Sequence, residues 1–107
     1  MSLDISLMEV RKTEVFETNI THNCAAMAKE AGIYGDLWHP QKNMAKYARD
    51  IVDNIKRGYN VMRANPDHYR SFEPENGWGL YDQFLAWLEY YIYALEQHPD
   101  AEIEVSR

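Results

Sequence analysis

The chain is poor in the groups that carry covalent, redox or membrane chemistry. Its single cysteine, Cys24, cannot close an internal disulfide and suits a reducing compartment. No apolar run approaches the roughly twenty residues a spanning helix needs, and mean hydropathy is −0.59, so no membrane association is expected. Positive charge is scarce as well. Eleven Lys and Arg stand scattered against 17 Asp and Glu, a net charge of −6, which opposes binding to a phosphate backbone and removes nucleic acid from the expected partners. No basic-then-apolar leader opens the sequence, and the expected location is cytoplasmic.

Catalytic signatures are equally sparse. Ser2, Ser6, Ser71 and Ser106 lie outside any Gly-x-Ser-x-Gly turn, and Cys24 falls in an alanine-rich stretch rather than beside a base. His22, His39, His68 and His98 lack the spacing of metal ligands. Glu14, Glu17, Asp36, Glu73, Glu75 and Asp82 show no pairing that sets them apart from a solvated acidic surface. The expectation is therefore no catalytic residue, no metal and no cofactor.

What is present describes one α+β domain over residues 1–107, since 46% hydrophobic and 13% aromatic residues suffice for one core. From Asp4 to Thr18 the apolar alternation of Ile5, Leu7, Val10, Val15 and Phe16 slips phase between Leu7 and Met8. That pattern predicts two short strands, or one broken near Lys12. Ala101, Ile103 and Val105 alternate with Glu102 and Glu104, predicting a C-terminal strand that joins the N-terminal ones in a small antiparallel sheet.

Three main helices should pack on that sheet. The first starts with Thr21 as its cap and Ile20 stapling onto Ala25, buries Cys24, Met27, Ala28 and Ala31, and stops at Gly32. The second is expected from near Pro40 to about Arg63, with Met44, Tyr47, Ala48, Ile51, Val52, Ile55, Tyr59 and Met62 on its apolar face and Gly58 as a weak point. Asn65-Pro66-Asp67 ends it and opens a short helical turn carrying His68, Tyr69 and Phe72. The third follows Gly77 and runs to about Gln97. Leu80, Phe84, Leu88, Tyr91, Ile92 and Leu95 form one stripe and Trp87, Tyr90 and Ala94 a second, so the helix is either sandwiched inside the fold or offers an aromatic face to a partner. Sandwiching is the expected arrangement.

Two segments combine polar side chains with a helix start: Thr18-Asn19-Ile20-Thr21-His22-Asn23 and Asn76-Gly77-Trp78-Gly79. If the first and third helices begin side by side, Asn19, Thr21, His22, Asn23, Asn76 and Trp78 form a pocket for a carboxylate, a phosphate or a peptide carbonyl. The ligand-free alternative has Asn19 and Asn76 bonding turn backbone, Thr21 capping, and Trp78 packing across the junction.

These motifs carry a resemblance. Asn19-Ile20-Thr21-His22-Asn23, Met27-Ala28, Gly32-Ile33-Tyr34, Leu37-Trp38 with Pro40, Asn76-Gly77-Trp78-Gly79-Leu80-Tyr81, Pro99-Asp100-Ala101 and Val105-Ser106-Arg107 resemble a family of small bacterial and phage-encoded proteins with no assigned activity. The resemblance implies a shared fold and a shared polar site, with Cys24 and His39 at variable positions. It implies no reaction.

Three functions are consistent with this pattern. A non-enzymatic binding or adaptor module, with an unknown protein or small molecule at the two polar segments, is the leading expectation. A small enzyme or small-molecule binder would use His22 as acid or base, oriented by Asn19 or Asn23. A homo-oligomer would use Trp87, Tyr90 and Tyr91 as its contact face.

Overall fold

The computed structural model describes residues 1–9 and 13–107. Strand β1 (Ser2–Glu9) buries Leu3, Ile5 and Leu7 completely and turns Asp4 and Glu9 to solvent, so its period-two pattern lays one face on the core. Burying each of those side chains is worth about 1.5–3 kcal/mol. Strand β1 is central: β2 (Thr13–Thr21) and β3 (Glu102–Ser106) flank it, both antiparallel, in the order β2-β1-β3. The phase slip read from the sequence is a register shift between Leu7, paired with Phe16, and Met8, paired with Glu14. Val15 is the extra residue of that bulge. The expected break near Lys12 lies outside the described residues. Two strands precede the helices, and β2 continues past Thr18 to Thr21.

The helices cover the buried face. A 3-10 turn (His22–Cys24) leads into α1 (Ala25–Glu30), and Gly32 at φ +76° ends the segment as expected. Cys24, Met27, Ala28 and Ala31 are all buried. Two elements then follow that the sequence reading did not separate: α2 (Tyr34–Trp38) and a second 3-10 turn (Pro40–Asn43).

The long helix α3 (Ala48–Ala64) therefore begins eight residues after Pro40, because Met44 adopts φ +61° and breaks the run. Met44 is 93% exposed and takes no part in the apolar stripe. The true start is marked by Asp50, whose carboxylate accepts from the backbone N–H of Tyr47 at 2.8 Å and of Lys46 at 3.0 Å. Those two bonds hold the Asp50 carboxyl below the usual range. Gly58 does not end α3. It is buried, and a Cβ there would collide with Ile33 Cγ2, so the missing side chain makes room for the segment after α1.

After α4 (Pro66–Arg70), α5 (Tyr81–Gln97) lies between α3 and strand β2. Leu88, Tyr91 and Leu95 are fully buried, while Phe16 packs on the rings of both Tyr91 and Tyr90. Trp87 donates its indole N–H to Thr18 Oγ1 at 2.8 Å. The second stripe of α5 thus packs on the sheet, and the sandwiched arrangement holds. Of the three residues considered for a contact face between copies, Tyr91 is buried, Trp87 half-buried, and Tyr90 alone is exposed, at 58%. At the other end of α5 the Tyr81 hydroxyl donates to the Met62 carbonyl at 2.6 Å, which pins the start of α5 to the end of α3.

Candidate functional site

Strand β2 delivers Asn19, Ile20 and Thr21 to the end of the sheet, and the chain turns at once into the 3-10 segment. Thr21 caps that turn, its hydroxyl accepting from the Asn23 N–H at 3.3 Å. The loop before α5 crosses directly over it. Gly79 is buried at φ +94°, and a Cβ there would stand 3.0 Å from Thr21 Cγ2, 3.1 Å from Cys24 Sγ and 3.2 Å from Asn23 Cβ. Only glycine permits both the backbone angle and the approach. The two polar segments therefore meet, as the sequence reading required.

They border two adjoining cavities, open to solvent, that share Met1, Thr21 and Trp78 as walls. The larger, about 660 Å³, adds Ser2, Asn19, Ile20 and Gln83 with the backbone of Gly77 and Gly79. The smaller, about 450 Å³, adds His22, Asn23 and Asn76. Both lie in the size range of small-ligand sites. Asn19, Thr21, His22, Asn23, Asn76 and Trp78 are thus brought to one place.

Trp78 does not pack across the junction. It is 70% exposed, the most exposed of the three tryptophans, on a loop shaped by Gly77 at φ +77° and by the Asn76 side chain, whose Oδ1 accepts from the Trp78 N–H at 3.0 Å. Asn76 thus bonds turn backbone as the ligand-free alternative expected. Asn19 does not: it sits inside β2 opposite Asp4. The side-chain amides of Asn19 and Asn23 make no hydrogen bond to another described residue.

His22 is half-buried and oriented by Trp38, not by Asn19 or Asn23. The Trp38 indole N–H donates to His22 Nδ1 at 2.8 Å. An indole N–H can only donate, so Nδ1 must present its lone pair and the neutral ring carries its proton on Nε2. His22 then carries a donor, not an acceptor, at Nε2. Behind this wall Cys24 is buried, and burial pushes its thiol up to about 12, which keeps it protonated and inert.

The anion expected at a helix start finds its place taken by the chain itself. Gln83 Oε1 accepts from the Leu80 N–H at 3.1 Å, and the Glu73 carboxylate accepts from the Tyr81 N–H at 2.8 Å. Glu73 is therefore no free surface acid, and the start of α5 is already neutralised. Leu80 has no side-chain acceptor, so the sequence carries only half of a capping box here, the Gln83 that reaches back to the Leu80 N–H. Glu73, eight residues from its partner, gave no sequence signal.

Asp36 also departs from the surface reading. It is 8% exposed and accepts from Asn43 Nδ2 at 3.0 Å and Asn54 Nδ2 at 2.8 Å. Asn54 in turn accepts from Arg57 Nε at 2.9 Å, and Arg57 Nη2 donates to the Ala31 carbonyl at 2.9 Å. This polar chain ties α1, α2 and α3 together and lies away from the cavities.

Among the described residues no group of three or more His, Cys, Asp or Glu could hold a metal ion, and no helix is long and apolar enough to cross a membrane. Compared with known proteins, the chain matches no protein-family model, no curated protein and no solved structure.

Proposed function

We propose that the protein is a non-enzymatic binding module whose ligand sits in the groove beside Trp78, between the Asn19 to Asn23 and Asn76 to Gly79 segments. The observation that carries this reading is the exposure of Trp78. A large aromatic ring left 70% exposed above a cavity, on a loop held in shape by two positive-φ glycines and an Asx bond, is a preformed flat surface on which a ligand can stack. The His22 tautomer supports binding over acid-base chemistry, because the lone pair a general base needs is engaged by Trp38.

A thermal-shift screen of amino acids, nucleotides, sugars and short peptides, followed by amide NMR mapping, tests this. A ligand should raise the melting temperature in proportion to the logarithm of its concentration and move the signals of Asn23, Asn76 and Trp78. Hits that map consistently to another surface, or turnover of the bound compound, would defeat the reading.

A further inference from the structure

We infer that the groove takes a neutral saccharide, stacked on the Trp78 ring and held at its hydroxyls by the surrounding amides; this rests on the binding reading above. Charge is the first ground. Asp, Glu, Lys and Arg make up 26% of the chain, yet among the described residues none lines either cavity. A phosphate or carboxylate ligand would meet no cationic side chain, only the α-amino group of Met1 at the shared wall, and the Leu80 and Tyr81 amides at the start of α5 are bonded to Gln83 and Glu73. A cationic ligand would equally find no acid.

The second ground is the kind of polar group present. Asn19, Asn23, Asn76 and Gln83 offer planar amides, each a paired donor and acceptor that matches the two adjacent hydroxyls of a sugar ring. The donors are uncommitted: Asn76 and Gln83 use only their carbonyl oxygens within the chain, and Asn19 and Asn23 use neither end. His22 adds its Nε2 proton. The third ground is the platform. The axial C–H bonds of a pyranose carry partial positive charge and lie flat on the electron-rich face of an indole, an attraction that needs no charged group. An extended peptide is the weaker fit. It would pair with strand β2, which offers the groove only Asn19, Ile20 and Thr21.

The test is titration of the full chain with cellobiose, maltotriose, N,N′-diacetylchitobiose and lactose, followed by amide and indole NMR. Glucose 6-phosphate, glucuronate and a neutral hexapeptide are run in parallel. At least one neutral saccharide should shift the Trp78 indole N–H and the Asn23 and Asn76 side-chain amides. Trp78→Ala should weaken that binding about tenfold or more and Trp78→Phe less, while Asn23→Ala should weaken it severalfold. Both positions are exposed, so the variants should keep the wild-type melting temperature.

Tighter binding of the phosphate, the uronate or the peptide at these same signals would overturn the saccharide and leave the site standing. Saturation with all probes at about ten millimolar without movement of these signals would overturn the saccharide. Perturbation confined to another surface would overturn site and ligand together.

Discussion

The indole N–H of Trp38 lies 2.8 Å from Nδ1 of His22, sixteen residues earlier in the chain, and decides which proton the histidine carries. Long-range nitrogen NMR couplings should therefore show His22 as the Nε2–H tautomer. Trp38→Phe should free the ring at a cost of about 0.5–1.5 kcal/mol for the lost hydrogen bond. A wild-type His22 protonated on Nδ1 would refute the arrangement.

Tyr91 is fully buried, and its hydroxyl finds no hydrogen-bond partner among the described residues. Burial pushes its ionisation well above the usual tyrosine range, with the Asp36 carboxylate adding to the shift. Removing an unsatisfied buried hydroxyl relieves a cost of about 1–3 kcal/mol. Tyr91→Phe should leave stability unchanged or raise it, as measured by urea unfolding. A loss above about 1 kcal/mol would show that the hydroxyl has a partner.

Asp36 presents the opposite case, because both its oxygens are bonded. Asp36→Ala strands the Asn43 amide and removes one bond from Asn54, and should cost about 2–4 kcal/mol. Exposed Asp53, on the outer face of α3, serves as the control. Its replacement by Ala should change stability by less than about 0.5 kcal/mol. Equal effects at the two positions would remove the case for a structural Asp36.

Gly58→Ala sets helix propensity against packing. Propensity alone favours alanine by about 1 kcal/mol, whereas forcing a methyl into Ile33 costs about 1–3 kcal/mol. The variant should lose stability. A gain near 1 kcal/mol in denaturant unfolding would mean that Ile33 moves aside freely.

Cys24 sets a pH dependence. Below its ordinary value of 9.0 the thiol is protonated in both folded and unfolded chains, and its contribution is fully present. As pH rises from 9.0 toward about 12, the unfolded chain ionises while the buried thiol does not, so the unfolded state binds fewer protons and stability falls. Cys24→Ala should flatten that part of the stability curve. Native Cys24 should also resist iodoacetamide at pH 9, and rapid labelling there would contradict its burial.

The strands and the buried faces were legible because they are local. Alternation at Leu3, Ile5 and Leu7, the phase slip at Met8, and the helical spacing through Phe84, Leu88, Tyr91 and Leu95 each lie within one element, so the residues that report the structure are sequence neighbours. The start of α3 was misread for the complementary reason. Pro40 is a valid helix opening, and the left-handed turn at Met44 that separates it from α3 is favoured by no residue type in the sequence.

The amino-acid order by itself determined that Thr21 would cap a turn, that Gly77 and Gly79 would leave backbone open, and that the polar groups for a site would be amides and an imidazole rather than charges. Tertiary structure alone decided that these groups meet, that Trp38 sets the His22 proton, that Glu73 closes the start of α5, and that Asp36 is buried. Each of those depends on contacts between residues 7 to 58 positions apart, the longest joining Thr21 to Gly79. Such contacts arise when the helices pack on the sheet and on one another, and no local pattern records where a packed helix will come to rest.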